Sequence, residues 1–342
     1  MKNTHPVVAI DAGRSAVKVA YASGDQRGDF VFPSVVIPAR ELSNDQTAAK
    51  ALHETVTVGD QKYFVGQTAL EQSAGATYAG LSDDWTNQPA YKALIKSAMD
   101  RIEQRGIEFR GAPVVVVGAP SNVYASERQK IEEATRSALG GTIEVKVLPQ
   151  AAGVYYAHVF KPDGSVNGAN MFRNGSSGPL KDFAVVEPGH FSTDYILFVN
   201  GNVNESTFTS TGGVFEAYEE LGKILKEQRI NASAAQLTEA LINKQIFVYG
   251  KPVNVASQVE SALKAFIEGT RSKTERLFAA YAQALDGILV AGGGGTLVFD
   301  AIEATYPHAT LLPNPRMAVV NGFLAVGLAH AARSRPSIAK AA

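Results

Sequence analysis

Residues 11–18 read Asp-Ala-Gly-Arg-Ser-Ala-Val-Lys and lie where one short β-branched run, Val7–Ile10, gives way to a second, Val17–Ala22. A third run, Phe30–Val36, follows after a turn rich in Gly and Asp. Short β-branched or aromatic runs separated by Gly, Asp and Pro predict strands joined by tight turns. Residues 11–18 therefore predict the first turn of a three-stranded meander, with an acid at its first position and glycine at its third.

The second half of the chain repeats this pattern. Residues 187–194 read Glu-Pro-Gly-His-Phe-Ser-Thr-Asp, again with an acid at position one and glycine at position three, at a constant offset of 176 residues. Three runs flank this stretch and predict a second meander: Asp182–Val186, Thr193–Val199 and Asn202–Phe208. The Asn200-Gly201 pair is a strong hairpin signal. The sequence therefore predicts a duplicated arrangement.

Each meander is followed by alternating helical and strand patterns, which favour an α/β class with a sheet covered by helices. Val114–Val117 is typical of a central strand covered on both faces. The other predicted strands are Thr55–Val58, Lys62–Val65, Thr142–Leu148 and Gly287–Val290; the predicted helices are Gln88–Gln104, Ser126–Leu139, Ala151–His158, Gly213–Gln228, Ala235–Asn243 and Asn254–Ala282. We interpret Ser43–Lys50 as a polar stretch, Lys161–Pro179 as a surface excursion at a domain boundary, and Arg333–Ala342 as a fraying tail.

The two acidic turns predict a phosphate site. Backbone N–H groups in tight turns bind phosphate oxygens, and nearby carboxylates attract a divalent cation. Gly13 and Gly189 allow a ligand to approach the backbone closely, and Lys18 adds a positive charge within reach of a phosphate. A duplicated fold would place the two turns face to face across a cleft. The alternative is that each turn is an ordinary hairpin, and the matched pair argues against it.

Two glycine-rich turns and one glutamine extend the predicted site. Residues Ala291–Thr296 read Ala-Gly-Gly-Gly-Gly-Thr between a strand and a helix, where the backbone can lie against a flat ligand and the helix N-terminus favours an anion. Thr211–Val214 holds a similar position. Gln150 follows Pro149 at a strand-to-helix turn, where its amide could orient an attacking water. Tight packing for the glycines and solvent exposure for Gln150 are the simpler alternatives.

Bulk composition narrows the functional classes. The chain has 342 residues with 45% hydrophobic side chains, which predicts about two domains. Its 32 basic and 33 acidic residues nearly cancel, so nothing in the overall charge draws it to nucleic acid or anionic lipid. It has no cysteine, which suits a reducing compartment. With no signal peptide and no long apolar span in the sequence, we expect a cytoplasmic protein without membrane contact.

These residues resemble the superfamily of actin, DnaK-type chaperones and sugar kinases, and within it the plasmid-segregation actins of the ParM/StbA type. Asp11 to Lys18 matches the first phosphate motif, Pro149-Gln150 with Ala152-Gly153 the first connecting segment, and Glu187 to Asp194 the second phosphate motif. Gly212-Gly213 resembles the ribose-side turn, and Gly292 to Gly295 the adenosine motif. Further landmarks similar to segregation actins are Phe32-Pro33-Ser34, Gly118-Ala119-Pro120 with Tyr124, and Val320-Asn321-Gly322. The second phosphate motif is also similar to that of PRTRC-system relatives.

The resemblance implies an α/β actin-like fold of two domains, each with a mixed five-stranded sheet flanked by helices, and a nucleotide in the cleft. We expect domain I to comprise residues 1–160 and 323–342, and domain II residues 161–322 with a helical subdomain at about 214–284. The implied ligands are ATP, with GTP as the alternative, and Mg²⁺. The candidate nucleotide-binding residues are Gly13, Arg14, Ser15, Lys18, Gly189, His190, Gly212, Gly213, Gly292, Gly293, Gly294 and Gly295. The candidate catalytic residues are Asp11, Gln150 and Glu187, of which Asp11 and Glu187 would face the metal through water.

The second motif departs from the family pattern. Glu187 stands where Asp is usual, and His190-Phe191 stand where a Gly-Thr pair is usual. The longer carboxylate and the bulky pair change the geometry around magnesium and remove a flexible donor loop. We therefore expect ATP hydrolysis to be slow or altered.

By resemblance, the leading hypothesis is an ATPase that polymerises head to tail with nucleotide and moves plasmid DNA through a centromere-binding adaptor, without contacting nucleic acid itself. Two alternatives stay open. A small-molecule kinase would need a carboxylate base beside a substrate pocket, and no Asp in the sequence stands in that context. A non-polymerising ATP-binding scaffold would fit the unusual second turn. A chaperone and a membrane-bound cell-shape actin are disfavoured, since no substrate-binding domain follows residue 330 and no apolar extension precedes Val7.

Overall fold

The computed structural model describes residues 5–73, 85–140 and 143–333. In chain order, the strands are β1 (Val7–Ala12), β2 (Ala16–Ser23), β3 (Gln26–Pro33), β4 (Val36–Pro38), β5 (Thr55–Val58), β6 (Gln61–Val65), β7 (Val114–Ala119), β8 (Glu144–Pro149), β9 (Phe183–Pro188), β10 (Ser192–Val199), β11 (Asn202–Gly212), β12 (Gln245–Val248), β13 (Lys251–Asn254), β14 (Gly287–Val290) and β15 (Ala309–Leu311). The helices are α1 (Asp45–Leu52), α2 (Gln67–Gln72), α3 (Pro89–Glu103), α4 (Tyr124–Leu139), α5 (Ala152–Val159), α6 (Gly168–Met171), α7 (Phe215–Glu227), α8 (Ala234–Asn243), α9 (Ala256–Phe278), α10 (Gly295–Thr305) and α11 (Ala318–Arg333).

The chain divides into two compact units. Unit 1 comprises Met1–Pro179 and Met317–Ala342, and unit 2 comprises Leu180–Arg316. The sequence placed the boundaries at residues 160 and 322 instead. Residues 161–179 belong to unit 1 because Phe160 bridges to Val166 and the backbone at Gly164 lies against Leu328 of α11. Residues 317–322 belong there because α11 packs along α5.

The main sheet of unit 1 has the strand order β3-β2-β1-β7-β8. The first three strands are antiparallel neighbours, and β1, β7 and β8 run parallel. The valines of Val114–Val117 lie on β7, an interior strand, and are buried, as the four-valine run predicted. Both faces are covered by helices, so the core of this unit lies on the sheet.

Unit 2 repeats the topology in the order β11-β10-β9-β14-β15, with three antiparallel strands followed by parallel neighbours. The hairpin at Asn200-Gly201 is confirmed: both residues have positive φ angles, 49° and 71°, as a two-residue turn requires. Each unit is thus an α/β domain built on a mixed five-stranded sheet, as the sequence predicted.

A smaller part of unit 2 combines α7, α8, the hairpin β12–β13 and the first turns of α9. Its separate core includes Leu221, Leu225, Ile246 and Val259. The sequence placed a helical subdomain at about 214–284 and missed the hairpin, because its turn residues, Tyr249-Gly250, are not a usual turn pair. The predicted helix Asn254–Ala282 ends earlier, at Phe278.

In unit 1 one predicted strand was wrong and one helix was not predicted. The run Phe30–Val36 is not one strand: β3 ends at Pro33 and β4 begins at Val36 in a second sheet, of order β4-β6-β5. Ser34 causes the break, since it bonds to the turn after β1. The polar stretch Ser43–Lys50 contains α1, whose first turn is capped by the side chain of Asn44.

Two glycines let the helices α5 and α11 meet closely. A Cβ on Gly322 would lie 1.8 Å from the carbonyl oxygen of Gly153, and one on Gly153 would lie 2.5 Å from that of Val319. Only glycine fits such a contact. Of the predicted tail, Arg333–Ala342, only Arg333 is among the described residues. Among the helices that are described, none combines the length and apolar character needed to cross a bilayer.

Candidate functional site

Turn 1 is the connection between β1 and β2, residues Gly13–Ser15. The strands pair in a register that sets Asp11 directly opposite Lys18 and Ala12 opposite Val17. Side chains of directly opposed residues point to the same face of a sheet. The seven-residue spacing in the sequence therefore brings the acid and the lysine together.

The carboxylate of Asp11 is buried, with 1% of the residue exposed. The Nζ atom of Lys18 donates to Oδ2 at 2.6 Å, and the Nε2 atom of Gln150 donates to Oδ1 at 2.8 Å. Three of the predicted site residues thus meet at one carboxylate. The lysine offsets the charge of a carboxylate that would otherwise be costly to bury.

The backbone of turn 1 has N–H groups that are available to a ligand. Within the described part of the chain, the N–H groups of Gly13, Arg14 and Ser15 have no acceptor. Consecutive unpaired N–H groups in a turn form an anion-binding concavity. A Cβ on Gly13 would lie 2.9 Å from the carbonyl oxygen of Ala16, so the turn keeps its shape only with glycine there.

Ser34 donates two hydrogen bonds to the backbone of turn 1. Its Oγ donates to the carbonyl oxygen of Gly13 at 2.5 Å, and its backbone N–H donates to that of Ser15 at 3.1 Å. Ser34 is fully buried. Ser34 therefore engages two carbonyl oxygens of turn 1 and none of its N–H groups.

Gln150 reaches Asp11 from the end of β8. Its backbone N–H donates to the carbonyl oxygen of Ala119 at 2.7 Å, and its Cγ would contact a Cβ on Gly118. The landmark Gly118-Ala119-Pro120 therefore supports the glutamine. Since the amide nitrogen is used by Asp11, the Oε1 atom is the end of the side chain that can accept a further hydrogen bond.

Turn 2 connects β9 and β10 in unit 2, residues Gly189–Phe191. Its register sets Glu187 opposite Asp194 and Pro188 opposite Thr193, the same relation that Asp11 and Lys18 have in unit 1. The equivalence that the sequence alignment assumed therefore exists in the fold. At the lysine position, however, turn 2 has an acid.

The two acids of turn 2 are both buried, Glu187 with 3% and Asp194 with 1% exposed. Asp194 accepts a hydrogen bond from the Oγ of Ser210 on β11. The Oε1 of Glu187 lies beneath Gly292, where a Cβ would be 2.6 Å away. Turn 2 thus has one buried acid, Glu187, beneath the glycine-rich loop and a second, Asp194, directly opposite it.

The backbone of turn 2 is engaged by its neighbours. Gly189 N–H donates to the carbonyl oxygen of Ser192, and the carbonyl oxygens of Gly189 and His190 accept from Val214 and Phe215 at the start of α7. The carbonyl oxygen of Pro188 accepts from Gly294 N–H at 2.8 Å. Turn 2 is therefore fixed by two other loops of its own unit.

His190 lies in an aromatic cluster. Its ring centre is 4.5 Å from that of Phe191, 5.1 Å from Tyr218 and 5.6 Å from Phe215. Burial lowers the pKa of His190 to about 4, because the charged imidazolium loses solvation among these rings. The imidazole is accordingly neutral at physiological pH.

The glycine-rich turns predicted from the sequence lie against turn 2. A Cβ on Gly213 would be 2.5 Å from the carbonyl oxygen of His190, and one on Gly292 would be 2.5 Å from that of Pro188. Gly292 also has a φ of +88°, which side-chain-bearing residues rarely adopt. Gly293 is exposed and a Cβ there meets nothing within 4 Å, while Gly295 begins α10. One surface of this loop is therefore open at Gly293.

The structure brings the predicted residues together in two groups. Unit 1 assembles Asp11, Gly13, Lys18 and Gln150; unit 2 assembles Glu187, Gly189, His190, Gly212, Gly213, Gly292 and Gly294. Arg14 lies in turn 1, and Ser15 contributes its carbonyl oxygen to Ser34. Among the described residues no group of three or more His, Asp or Glu side chains is placed to hold a metal ion.

Sequence reasoning missed three contributors. Ser34 was noted only as a landmark, Ser210 was not noted at all, and Glu216 was overlooked although its carboxylate occupies the space where a Cβ of Gly212 would stand. An acid in the first turn of a helix that follows a Gly-Gly pair was the available signal for Glu216. Ser210 carried no local signal, because only the pairing of β10 with β11 sets it beside Asp194.

Comparison with known proteins agrees with this architecture. The N-terminal domain of actin-like proteins matches residues 9–153, and the C-terminal domain of MreB-like archaeal actin homologues matches residues 185–304. A search of curated proteins finds no match.

Solved structures of low sequence identity share the whole fold. A 15-stranded ParM filament from Clostridium botulinum has a TM-score of 0.74 at 16% identity, covering 95% of this chain and 99% of that one. An archaeal actin homologue in complex with ADP has a TM-score of 0.69 at 17% identity, and ParM from Bacillus thuringiensis with AMPPNP one of 0.65 at 15%. Both cover 96% of this chain and 99% of the other. The duplicated mixed sheets with a tight turn at the same place in each define an actin-like protein. The chain belongs to this family, and its structural neighbours include the ParM proteins.

Proposed function

We propose that the protein is a bacterial actin homologue that binds ATP, polymerises with the nucleotide and hydrolyses it to drive segregation of plasmid DNA in the cytoplasm. The observation that carries this proposal is turn 1. There a buried carboxylate, bonded to Lys18 and Gln150, lies beside three consecutive N–H groups without an acceptor in the described chain. Such an arrangement suits a polyanion accompanied by a cation.

Turn 1 is assigned to the phosphates. The N–H groups of residues 13–15 would bind phosphate oxygens, and Lys18 would add a point charge. Mg²⁺ fits the site through water, because it prefers oxygen ligands and keeps several of its own waters. Each oxygen of Asp11 uses one lone pair for Lys18 or Gln150, which leaves one for a metal-bound water. Bound magnesium would neutralise phosphate charge.

The glycine loops of unit 2 are assigned to the adenosine. Gly293 offers a backbone without a side chain in its way, and the loop ends at the N-terminus of α10. Glu216 lies over Gly212, where a carboxylate can accept from sugar hydroxyls. GTP is the alternative ligand, since a backbone platform of this kind does not by itself select a base.

Hydrolysis is assigned to water oriented by Gln150. With its nitrogen held by Asp11, the glutamine presents Oε1 as an acceptor for one water proton. It acts by positioning rather than as a base. Glu187 would share this role from turn 2. Because turn 2 is fixed by α7, the glycine loop and an aromatic cluster, we expect turnover to be slow.

Filament formation and DNA segregation are supported only by structural similarity to other proteins. One structural neighbour is a ParM filament. The near-zero net charge of this chain suits a protein that reaches DNA through an adaptor and does not bind it directly. A non-polymerising ATP-binding scaffold is the second candidate. The fixed state of turn 2 favours it, since a scaffold needs nucleotide affinity without turnover.

The test is electron microscopy and light scattering of purified protein with and without ATP and magnesium. We expect filaments above a critical concentration with nucleotide and none without it. Binding of ATP with monomers at every concentration would favour the scaffold instead. Transfer of phosphate to a sugar, detected in the same samples, would overturn both in favour of a kinase.

A further inference from the structure

Two basic side chains lie in the segment from Asp11 to Lys18, and their surroundings differ. The Nζ atom of Lys18 donates to Oδ2 of Asp11 at 2.6 Å, and the lysine side chain is 13% exposed. The guanidinium of Arg14 makes no hydrogen bond or ion pair with any residue that the structure describes. The charge of Lys18 is therefore balanced within its own hairpin, whereas the charge of Arg14 is not.

Arg14 is the middle residue of turn 1, at the tip of the β1–β2 hairpin. It is partly buried, and its own backbone N–H is one of the three that have no acceptor in the described chain. The guanidinium adds five further donors at the same residue. Turn 1 thus combines backbone donors with a positively charged, planar set of side-chain donors, a combination that suits an anion with several oxygens.

The matching position of turn 2 carries no charge. The offset of 176 residues sets His190 where turn 1 has Arg14. His190 lies among aromatic rings, and burial there lowers its pKa to about 4, so the imidazole is neutral at physiological pH. The residue opposite the acid, a lysine in turn 1, is Asp194 in turn 2. Residues 187–194, all of which the structure describes, therefore offer a phosphate no side-chain cation at that pH.

The charge of the proposed ligand requires a cation beyond Lys18. A terminal phosphate carries a charge of about −1.5 to −2 at pH 7, and each inner phosphate of the chain adds a further negative charge. Residues 11–18 contain one acid and two bases, so the net positive charge of this segment equals that of Arg14. Because Lys18 is paired with Asp11, the arginine is the residue of turn 1 whose charge is available to a phosphate chain.

An arginine suits the outermost phosphate in particular. A terminal phosphate has more oxygens that are not shared with a neighbouring phosphate than an inner one has, and the planar guanidinium binds two such oxygens at once. Backbone N–H groups are fixed in place, so they bind the phosphates that lie directly against the turn. The long side chain of Arg14 extends farther than the N–H of the same residue. It can therefore bind a phosphate that lies beyond those held by the backbone.

We infer that Arg14 is the specificity-determining residue of turn 1: its guanidinium binds the outermost phosphate and selects a nucleoside triphosphate over a diphosphate or a monophosphate. Lys18 chiefly balances the buried charge of Asp11. The inference rests on the proposed function and deepens it, since the phosphates were there assigned to turn 1 as a whole. It makes the number of phosphates, rather than the base, the property of the nucleotide that this turn recognises.

The first test compares the affinities of Arg14→Gln and the wild type for ATP, ADP and AMP, each measured with magnesium by titration calorimetry. We expect the affinity for ATP to fall about 10-fold to 100-fold, because a charged bidentate contact is lost. The affinity for ADP should fall about threefold at most and that for AMP should stay unchanged, because their phosphate chains end before the guanidinium. An equal loss for all three nucleotides, or no loss for ATP, would overturn the inference while the proposed function stands.

Two further variants separate geometry from charge. Arg14→Lys keeps the positive charge and loses the planar fork, so its affinity for ATP should fall about threefold to tenfold, less than in Arg14→Gln. Arg110→Gln removes an exposed arginine of unit 1 that likewise has no partner among the described residues, and all three affinities should stay at the wild-type level. If Arg110→Gln weakened ATP binding as much as Arg14→Gln does, the loss would reflect net charge alone, which contradicts the inference.

Unfolding in urea distinguishes the role of Arg14 from that of Lys18. Because the guanidinium bonds to no described residue, Arg14→Gln without nucleotide should unfold at the wild-type midpoint. Lys18→Gln leaves the buried carboxylate of Asp11 without its opposite charge and should unfold at a clearly lower urea concentration. A loss of stability in Arg14→Gln as large as that in Lys18→Gln would show that the arginine supports the fold rather than the ligand.

Inorganic triphosphate tests the turn without a base or a sugar, with pyrophosphate as the shorter analogue. We expect Arg14→Gln to bind triphosphate at least about 10-fold more weakly than the wild type does, and pyrophosphate to be affected less. If the wild type binds triphosphate in this way but does not bind ATP, the inference stands and the proposed function fails. Equally tight binding of triphosphate by both proteins would overturn the inference. A wild type that binds neither nucleotide nor triphosphate would overturn it together with the proposed function.

Discussion

Turn 1 and turn 2 occupy the same place in two sheets of the same strand order, but they are held in opposite ways. Turn 1 is held through its carbonyl groups by Ser34, which leaves its N–H groups without acceptors in the described chain. Turn 2 is held by the backbone of α7 and of the glycine loop, and its histidine is packed among aromatic rings. The topology sets where a turn lies, whereas the residues around it decide what it can still bind.

The electrostatics differ just as clearly. The residue opposite the acid is Lys18 in turn 1 and Asp194 in turn 2. Asp11 is therefore charge-compensated within its own hairpin, while Glu187 lies opposite a second acid. The comparison teaches that one duplicated motif keeps its backbone N–H groups available in unit 1, whereas in unit 2 its backbone is held by neighbouring loops and its two acids are buried.

The largest effect is expected for Asp11→Ala. This change leaves the largely buried Lys18 without its carboxylate, and removing one partner of a buried pair typically costs about 3–5 kcal/mol. We expect the affinity for ATP, measured by titration calorimetry, to fall at least about 100-fold. Asp29→Ala is the matched control, because Asp29 is an exposed acid on the neighbouring strand β3. Equal affinities for both variants would remove turn 1 from the proposed site.

Glycine substitutions should next separate turn 1 from the glycine-rich loop that packs against turn 2. Gly292→Ala forces a side chain into a positive φ and toward the carbonyl oxygen of Pro188, so we expect a loss of about 2–3 kcal/mol in the free energy of unfolding. In Gly13→Ala the new Cβ lies 2.9 Å from the carbonyl oxygen of Ala16, and no positive φ is involved. We therefore expect a smaller loss of stability than in Gly292→Ala and a larger loss of ATP affinity. Urea unfolding and calorimetry on both variants measure this. The reverse ranking would show that the glycine-rich loop against turn 2, not turn 1, is the adaptable one.

A smaller effect is expected for Gln150→Ala. The variant loses the acceptor proposed to orient water, and phosphate release should slow about tenfold, equivalent to about 1.4 kcal/mol. ATP affinity should change less than threefold, because Lys18 still compensates Asp11. Gln129→Ala, on the outer surface of α4, serves as control. If ATP binding and phosphate release both stay at the wild-type level, Gln150 has no part in hydrolysis.

The smallest effect concerns acid stability through His190. Its pKa is about 4 in the folded protein and near 6.5 when unfolded, so the unfolded state binds more protons as the pH falls through this window. Stability should therefore decrease from pH 6.5 toward pH 4, and less so in His190→Phe. Urea midpoints at several pH values measure the difference, with exposed His53→Gln as control. Parallel curves for wild type and His190→Phe would mean that the imidazole is not buried as the structure has it.

Much of the framework follows from local patterns. The valines of β7, the Asn200-Gly201 hairpin and the repeat of an acid-X-Gly turn were all readable in the sequence, because alternation and turn chemistry act over a few residues. The β12–β13 hairpin was missed since Tyr249 is an unusual turn residue. Phe30–Val36 was misjudged as one strand because the bond from Ser34 to turn 1, over 21 residues, leaves no local trace.

The sequence by itself determined the duplicated acidic turns, because turn chemistry acts over a few residues; it placed Lys18 near a phosphate, and its bond to the Asp11 carboxylate emerged from the strand register. Only the tertiary structure decided that Gln150, 139 residues away, meets the same carboxylate, since the ends of β1 and β8 are brought near by the strand between them. It also decided that turn 2 is fixed while turn 1 keeps its N–H groups available. That difference depends on which distant loops pack against each turn, and long-range packing is not encoded in the turn itself.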